Sequence, residues 1–241
     1  MSHYKVQPLV WCDNPERIQM DILEDSVMIG YVHPNVVTEG FTRSLAGACL
    51  WRDNKIVGIV SAANPRHHVA RNEVIKKFLE SPAEWLMWID TDMTFEHECI
   101  DRLRETAAAE GADIVAGLAF IFKRLENIVQ PNMYLWDTDI NKFAEIRDYE
   151  SGEVLNVDAV GSAFVLINRR VFEAWDDEGW HQNWMEHPAS GEAMGHDLAF
   201  FYQACIEQDF KLVYDTDIQS GHIKHFELNE ETFRDWQEMK A

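Results

Sequence analysis

The chain has 241 residues, of which 46% are hydrophobic and nine are tryptophan, so it can bury a large core and does not have the composition of a disordered protein. Its formal net charge of −21 argues against nucleic acid or an anionic membrane as a partner. No charged-then-apolar signal opens the sequence, and the longest apolar stretch, residues 114–122, is too short to span a bilayer. We therefore expect a cytoplasmic protein with no membrane span.

The cysteines support this interpretation. They are far apart and form no CxxC pair, which argues against a structural zinc site and favours free thiols in a reducing compartment. The four are Cys12, Cys49, Cys99 and Cys205.

The first half of the chain alternates apolar runs with segments of helical periodicity. Strands are predicted at 27–32, 55–62, 85–89 and 113–122, and helices at 38–51, 69–79 and 95–110. Gly111 follows the last of these helices as a C-cap signal. This order predicts an α/β fold with a mainly parallel sheet covered by helices.

The second half has shorter elements. Strands are predicted at 132–136, 143–149, 154–157, 158–167 and 211–214, and helices at 169–175, 196–208 and from Asn229 onwards. Residues 176–195 show little periodicity, and a loop of that length in a compact domain is usually functional or mobile. We expect a single domain over residues 1–241 whose second half forms a small antiparallel part.

The most informative segment is Asp90-Thr91-Asp92, which directly follows the apolar run at 85–89. Open α/β sheets bind ligands beyond the carboxyl ends of their strands. Carboxylates at such a place are suitable ligands for Mg²⁺ or Mn²⁺, and the cation would attract phosphate oxygens that this acidic chain otherwise repels. The alternative is that Asp92 caps a helix opening near Thr94 and that Asp90 is a solvated strand end.

Two further segments could face a phosphorylated ligand. Arg71 and Asn72 open the helix after the second strand, where a guanidinium and unpaired amides can bind phosphate, although Arg71 also fits a surface position. The segment Gly161-Ser162-Ala163 interrupts a strand with small residues. It permits close approach of a ligand and equally fits a simple bulge.

Acidic and histidine residues near the end of the chain are ambiguous in the same way. Asp197 opens a helix, where it is either a first-turn acid favoured by the helix dipole or a carboxylate aimed at a cleft. His222 or His225 could complete a metal shell with a neutral imidazole, and each could also be an ordinary loop histidine.

Glycine-rich phosphate loops are absent from the sequence. After Gly30 no glycine follows until Gly40, and no GxxxxGK[ST] segment occurs. The sequence therefore disfavours an NAD-dependent enzyme and a P-loop NTPase.

Taken together and in this order, the segments resemble the GT-A fold glycosyltransferases, particularly the family 2-like enzymes of bacteria and their phages. The resemblance spans roughly residues 27 to 225. It is carried by His33-Pro34-Asn35, Ala70-Arg71-Asn72-Glu73, Trp88-Ile89-Asp90-Thr91-Asp92-Met93, Val160-Gly161-Ser162-Ala163-Phe164, Gly195-His196-Asp197-Leu198-Ala199-Phe200 and Ser220-Gly221-His222.

The resemblance implies a GT-A, Rossmann-like domain divided into functional parts. An N-terminal extension at 1–26 would precede a nucleotide-sugar-binding half at 27–125. An acceptor-binding half at 126–228 and a C-terminal helix at 229–241 would follow. The implied reaction moves a sugar from a UDP- or GDP-linked donor to a hydroxyl of a protein or glycan.

The resemblance also implies roles for individual residues. Asp90 and Asp92 correspond to the DxD motif that holds Mn²⁺ or Mg²⁺, and His222 to an additional metal ligand. Asp197 corresponds to the second acid of the family's ED motif, the base for the acceptor hydroxyl, although His196 stands where the first acid is usual. The residues implied to lie around the donor are Pro34, Asn35, Ala63, Arg71, Thr91, Gly161 and Ser162.

Two other functions fit parts of the sequence. Asp90 to Thr94 also matches the DxDx[TV] motif of haloacid dehalogenase-like phosphatases, but that motif normally follows the first strand of its domain. A non-catalytic sugar-binding module is a second alternative, for which the altered His196 is the best support. Trp180 and Trp184 in the long loop could stack on a sugar or an acceptor, or could pack in the core.

Overall fold

A computed structural model describes residues 21–34, 36–123, 128–175, 184–187, 191 and 193–224. The predictions made for Asn35, Trp180, His225 and the helix from Asn229 lie outside these residues. No helix in the described ranges combines the length and apolar character that a bilayer crossing requires.

The centre of the molecule is a mixed sheet flanked by helices. Its first strands are β1 (Leu23–Val32), β2 (Ile56–Ala62), β3 (Ala83–Ile89), β4 (Met93–Phe95) and β5 (Ile114–Leu118). The helices between them are α1 (Glu39–Leu50), α2 (His67–Leu79) and α3 (Cys99–Glu110). Thr38 caps α1 by accepting a hydrogen bond from Phe41 N, and Gly111, at φ +60°, ends α3 as predicted.

The second half supplies the remaining strands and two short helices. The strands are β6 (Phe120–Lys123), β7 (Ile128–Pro131), β8 (Met133–Asp137), β9 (Lys142–Glu145), β10 (Val154–Asn156), β11 (Ala159–Val160), β12 (Phe164–Asn168), β13 (Met185–Glu186), β14 (Ala193–Met194) and β15 (Leu212–His222). The helices are α4 (Arg169–Glu173) and α5 (His196–Phe201), and α5 continues as a π-helical segment over Tyr202–Glu207. Within the described residues the small antiparallel pairings are β11-β8-β9, β13-β14 and β6-β7.

The sheet order in the described chain is β10-β15-β5-β12-β3-β1-β2, with β4 paired to β15. Strands β1, β2, β3, β5 and β15 run in one direction, and β12 runs antiparallel between β3 and β5. The predicted mainly parallel, helix-covered sheet is confirmed. This polarity brings the carboxyl ends of β1, β2 and β3 and the beginning of β12 to the same edge.

The inner strands of the sheet are covered on both faces, which explains why β3, β5 and β12 are largely apolar. Alternate residues of β3 point to opposite sides: Leu86 joins the core that includes Phe78 of α2, and Met87 joins the core that includes Leu103 of α3. Each of these side chains is fully buried, and burying one such side chain stabilises the fold by about 1.5–3 kcal/mol.

Several predicted elements differ from the structure. The helix predicted at 95–110 begins only at Cys99, because Met93–Phe95 instead forms β4 and pairs with β15. Asp92 is therefore not the cap of that helix. The strand predicted at 211–214 extends to His222, since β15 pairs first with β5 and then, after an irregularity, with β4.

The strand predicted at 158–167 is broken at Gly161, Ser162 and Ala163, which separate β11 from β12. Glycine is required here because a Cβ at position 161 would lie 1.8 Å from Nδ2 of Asn132. The run predicted at 113–122 is divided in the same way, into β5 and β6, and α5 changes to π geometry after Phe201.

Candidate functional site

A cavity of about 800 Å³ opens at the edge where the parallel strands end. It is therefore at the position where open α/β sheets bind their ligands. Its lining consists of Val32, His33, Pro34, Val36, Val37, Thr38, Glu39, Gly40, Asn64, Pro65, His67, Asp90, Thr91, Asp92 and Ile223.

The segment Asp90-Thr91-Asp92 forms a turn between β3 and β4. Met93 N donates to Asp90 O at 3.1 Å and closes the turn. Thr38 fixes it from the side, because its amide and its hydroxyl both donate to Thr91 O, at 3.1 and 3.0 Å. The residue that caps α1 thus also holds the acidic turn.

Asp92 is held by two cationic or potentially cationic side chains. Its Oδ2 lies 3.0 Å from Nε2 of His222 and accepts a hydrogen bond from Nζ of Lys224 at 2.9 Å. Burial opposes ionisation, but these two partners outweigh it and lower the pKa of Asp92 to about 2. Asp92 is a carboxylate at neutral pH.

His222 has the orientation expected of a metal-binding histidine. Its Nδ1 donates to the carbonyl oxygen of Phe120 at 2.7 Å, so Nε2 is the ring nitrogen that faces Asp92. Histidine ligands of metals usually donate their other ring N–H to a carbonyl or carboxylate in this way. A carboxylate oxygen and an imidazole nitrogen at this distance fit Mn²⁺ or Mg²⁺, with Mn²⁺ more tolerant of the nitrogen.

Asp90 points to a different partner. Its Oδ1 lies 3.4 Å from Nη2 of Arg71, and its side chain is 28% exposed. It does not form a compact three-residue group with Asp92 and His222. In the part of the chain that the structure describes, the group whose ligand atoms all lie within 4.8 Å of one another is the separate, largely exposed set Glu96, His97 and Glu98.

Arg71 connects two carboxylates from distant parts of the chain. Its side chain is only 2% exposed, Nη2 faces Asp90, and Nη1 donates to Oδ1 of Asp197. The guanidinium also lies over the ring of Trp88, 5.1 Å from its centroid. Arg71 lies in the second turn of α2 rather than at the beginning of the helix. Its guanidinium forms ion pairs with carboxylates of the protein itself.

A pair of histidines borders this ion-pair cluster. Nδ1 of His196 lies 3.0 Å from Oδ1 of Asp197, and the His196 ring is 5.4 Å from that of His67. Burial, the Arg71 charge and the His67 ring lower the pKa of His196 to about 3. The imidazole of His196 is therefore neutral at pH 7.

The other residues predicted to lie around the nucleotide-sugar donor are arranged along the edge of the sheet where the parallel strands end. Pro34 and Thr91 line the cavity, and exposed Ala63 precedes the lining residues Asn64 and Pro65. Gly161 is covered by the Asn132 side chain, so the close approach that its small size permits is made by a residue of the protein. Ser162 is buried beside Arg71, and its carbonyl oxygen lies 3.5 Å from Nη2 of Arg71.

Sequence reasoning did not identify three contributors: Thr38, His67 and Lys224. Thr38 was visible as a helix start, but nothing indicated that it also holds the acidic turn. Lys224 reaches Asp92 only because β15 extends to His222.

Comparison with solved structures shows that the fold is a known one. The chain matches A197 from STIV with a TM-score of 0.56 and 16% identity, over 83% of this chain and 86% of that one. It matches GalNAc-T7, a glycosyltransferase whose structure contains UDP, GalNAc and Mn²⁺, with a TM-score of 0.56 and 12% identity. The fold is similar to that of a GT-A glycosyltransferase.

The likeness concerns the fold alone. The match covers 84% of this chain but 44% of GalNAc-T7, so the chain spans less than half of that protein. No family model matches the sequence, and no curated protein does.

Proposed function

We propose that this chain is a metal-dependent glycosyltransferase that moves a sugar from a UDP- or GDP-linked donor to a hydroxyl of a protein or glycan. The observation that carries the proposal is the pairing of Asp92 with His222 at 3.0 Å, beside a cavity of about 800 Å³. The likeness to GalNAc-T7, a protein seen with UDP and Mn²⁺, supports the same chemistry. The carboxylate and imidazole, the donor types that suit such a cation, come from residues 130 apart in sequence.

In this proposal Asp92 and His222 hold the divalent cation, and the partly exposed Asp90 is the third candidate ligand. The bound cation would supply Lewis-acid stabilisation of the charge that develops on the leaving diphosphate. Phe120 O keeps Nε2 of His222 directed at the site. Lys224 adds positive charge at the rim of a protein whose net charge is otherwise −21.

The donor would occupy the cavity at the ends of β1 and β2. We assign its base and ribose to the neighbourhood of Pro34, Asn35 and Ala63, and its diphosphate to the turn at Thr91. Ser162 is a candidate to form a hydrogen bond with a hydroxyl of the nucleotide sugar, because its Oγ is buried and forms no hydrogen bond to any part of the chain that the structure describes.

Two residues of the proposed donor set would act through others. Gly161 would shape the turn that presents Ser162. It would not contact the donor itself, because the Asn132 side chain covers the side of Gly161 on which a Cβ would lie. Arg71 acts on the site through Asp90, because its buried guanidinium already holds carboxylates. On the acceptor side we assign loss of the hydroxyl proton to the unit formed by Asp197 and His196.

A screen of nucleotide sugars tests the proposed function. Thermal shift with UDP- and GDP-sugars should show stabilisation in the presence of Mn²⁺ and little without it, because the cation would offset the repulsion of the diphosphate. The same donors should then release UDP or GDP, at least by slow transfer to water. Asp92→Asn should abolish both effects, while Asp139→Asn, an equal charge change at an exposed residue, should leave them intact.

Two outcomes would contradict the proposal. Hydrolysis of p-nitrophenyl phosphate with no release of nucleoside diphosphate would indicate a phosphatase. Metal-dependent binding of a nucleotide sugar with no turnover, even to water, would indicate a non-catalytic binding module.

A further inference from the structure

Asp197, the carboxylate that corresponds to the family's base, is not a free anion. Its Oδ1 accepts a hydrogen bond from Nη1 of Arg71 and lies 3.0 Å from Nδ1 of His196. Hydrogen bonds to the charged form of a carboxylate stabilise it and make it a poorer proton acceptor. The Asp197 carboxylate thus already has two hydrogen-bond donors as partners, Arg71 and His196.

The same contact determines the protonation of His196. A carboxylate can only accept, so Nδ1 carries the proton and donates to Asp197. In a neutral ring, Nε2 then has a free lone pair. Burial, the Arg71 guanidinium and the His67 and His68 rings keep the ring neutral at pH 7 by lowering its pKa.

His196 also borders the proposed cleft. Its ring lies 5.4 Å from that of His67, which lines the cavity together with Asp90 and Asp92. The His196 side chain remains 17% exposed. An imidazole whose Nδ1 donates to an anchored carboxylate presents Nε2 in the orientation that general-base histidines use.

We propose that Nε2 of His196, rather than a carboxylate oxygen of Asp197, accepts the proton of the acceptor hydroxyl. This inference rests on the proposed function. The hydroxyl oxygen forms a bond to the anomeric carbon of the donor sugar as its proton moves to Nε2. The bond from the anomeric carbon to the diphosphate oxygen breaks, and its electron pair leaves with the nucleoside diphosphate.

Asp197 and Arg71 then become positioning residues. Asp197 holds the His196 tautomer and stabilises the imidazolium as it forms, and Arg71 fixes Asp197. On this account the histidine that stands where the family's first acid is usual takes over the role of base that the resemblance gives to the second acid, Asp197.

A ligand-free measurement tests the geometry first. The ring nitrogens of uniformly ¹⁵N-labelled protein are observed by long-range ¹H–¹⁵N correlation at pH 7, and His196 is assigned by its absence from the His196→Asn spectrum. We expect Nδ1 protonated and Nε2 bare. An imidazolium, or a ring protonated at Nε2, would overturn the inference.

Kinetics of nucleotide release then separate the two candidate bases. Asparagine at position 196 can place an amide N–H where Nδ1 stands, so it retains a donor to Asp197 but removes Nε2. His196→Asn should lower kcat by about 10²- to 10⁴-fold, the usual contribution of a general base, with the donor KM changed only a few-fold. His97→Asn, at a remote half-exposed histidine, should match the wild type.

The outcomes are distinguishable from failure of the proposed function. A wild-type chain that releases no nucleotide from any donor would overturn both claims. An active wild type whose His196→Asn variant retains its kcat within a few-fold would overturn this inference alone, and Asp197 would then be the direct acceptor.

Discussion

Nε2 of His222 lies 3.0 Å from Oδ2 of Asp92, although 130 residues separate them in the chain. The contact arises from strand register: β4 begins at Met93, directly after the acidic turn, and Met93 pairs with His222 at the end of β15. The pairing of β15 with β4 thus places His222 beside Asp92.

Metal affinity should depend on this pair. Asp92→Asn or His222→Asn removes one ligand, so each variant should bind Mn²⁺ at least tenfold more weakly than the wild type in a calorimetric titration. Asp139→Asn is the matched control and should bind as the wild type does. Equal Mn²⁺ affinity in all four proteins would show that Asp92 and His222 are not ligands of the metal.

Loss of the Arg71 charge should be strongly destabilising. Arg71→Met leaves Asp90 and Asp197 without their shared cation in a partly buried cluster, which should lower the free energy of unfolding by about 3–5 kcal/mol. Urea denaturation measures this. The cost should be smaller in an Asp197→Asn background, because one of the two uncompensated charges is then absent.

An exposed arginine provides the comparison for that substitution. Arg147→Met removes a guanidinium whose side chain is 53% exposed and paired with Glu145, and it should cost less than about 1 kcal/mol. Equal effects of the two substitutions would show that the Arg71 cluster has no special role in stability.

Gly161→Ala should destabilise the protein by about 1–3 kcal/mol, since its Cβ would lie 1.8 Å from Nδ2 of Asn132 and the neighbours would have to move. Truncation at Asn132→Ala removes the clashing atoms, so the cost of Gly161→Ala should fall in that background. Gly47→Ala, in α1 with its nearest neighbour at 3.4 Å, should be neutral or stabilising. Additive effects of the first two substitutions in denaturation experiments would contradict the contact.

His196 should make stability fall as the pH is lowered below about 6.5. Its folded-state pKa is about 3, against 6.5 for an unperturbed histidine, so at pH values between these two the unfolded chain binds a proton that the native ring does not bind. The contribution is up to about 1.4 kcal/mol per pH unit. The unfolding free energy of His196→Asn, measured in urea from pH 6.5 to 4.5, should fall less steeply than that of the wild type; parallel curves would show that the native ring titrates normally.

Much of the fold follows from local sequence. The apolar runs of β1 and β3 are buried in the sheet, and capping signals such as Thr38 and Gly111 define helix ends directly. These features act within a few residues, so a single sequence contains the information that they need.

The errors concern elements whose structure depends on distant partners. Met93–Phe95 is a strand because β15 pairs with it, and β15 extends to His222 for the same reason. Neither segment shows this in its own periodicity. The role of Arg71 was incompletely predicted because its contact with Asp197 joins residues 126 apart in sequence.

Titration of UDP and of GDP into the protein, with Mn²⁺ and again with the metal removed by EDTA, tests the central claim most directly. We predict that one of the two nucleotides binds in the presence of Mn²⁺, that binding is lost with EDTA, and that Asp92→Asn abolishes it even with the metal. Nucleotide binding that is equally strong without metal, or no binding of either nucleotide by the wild type with Mn²⁺, would contradict a cation-held diphosphate site at Asp92 and His222.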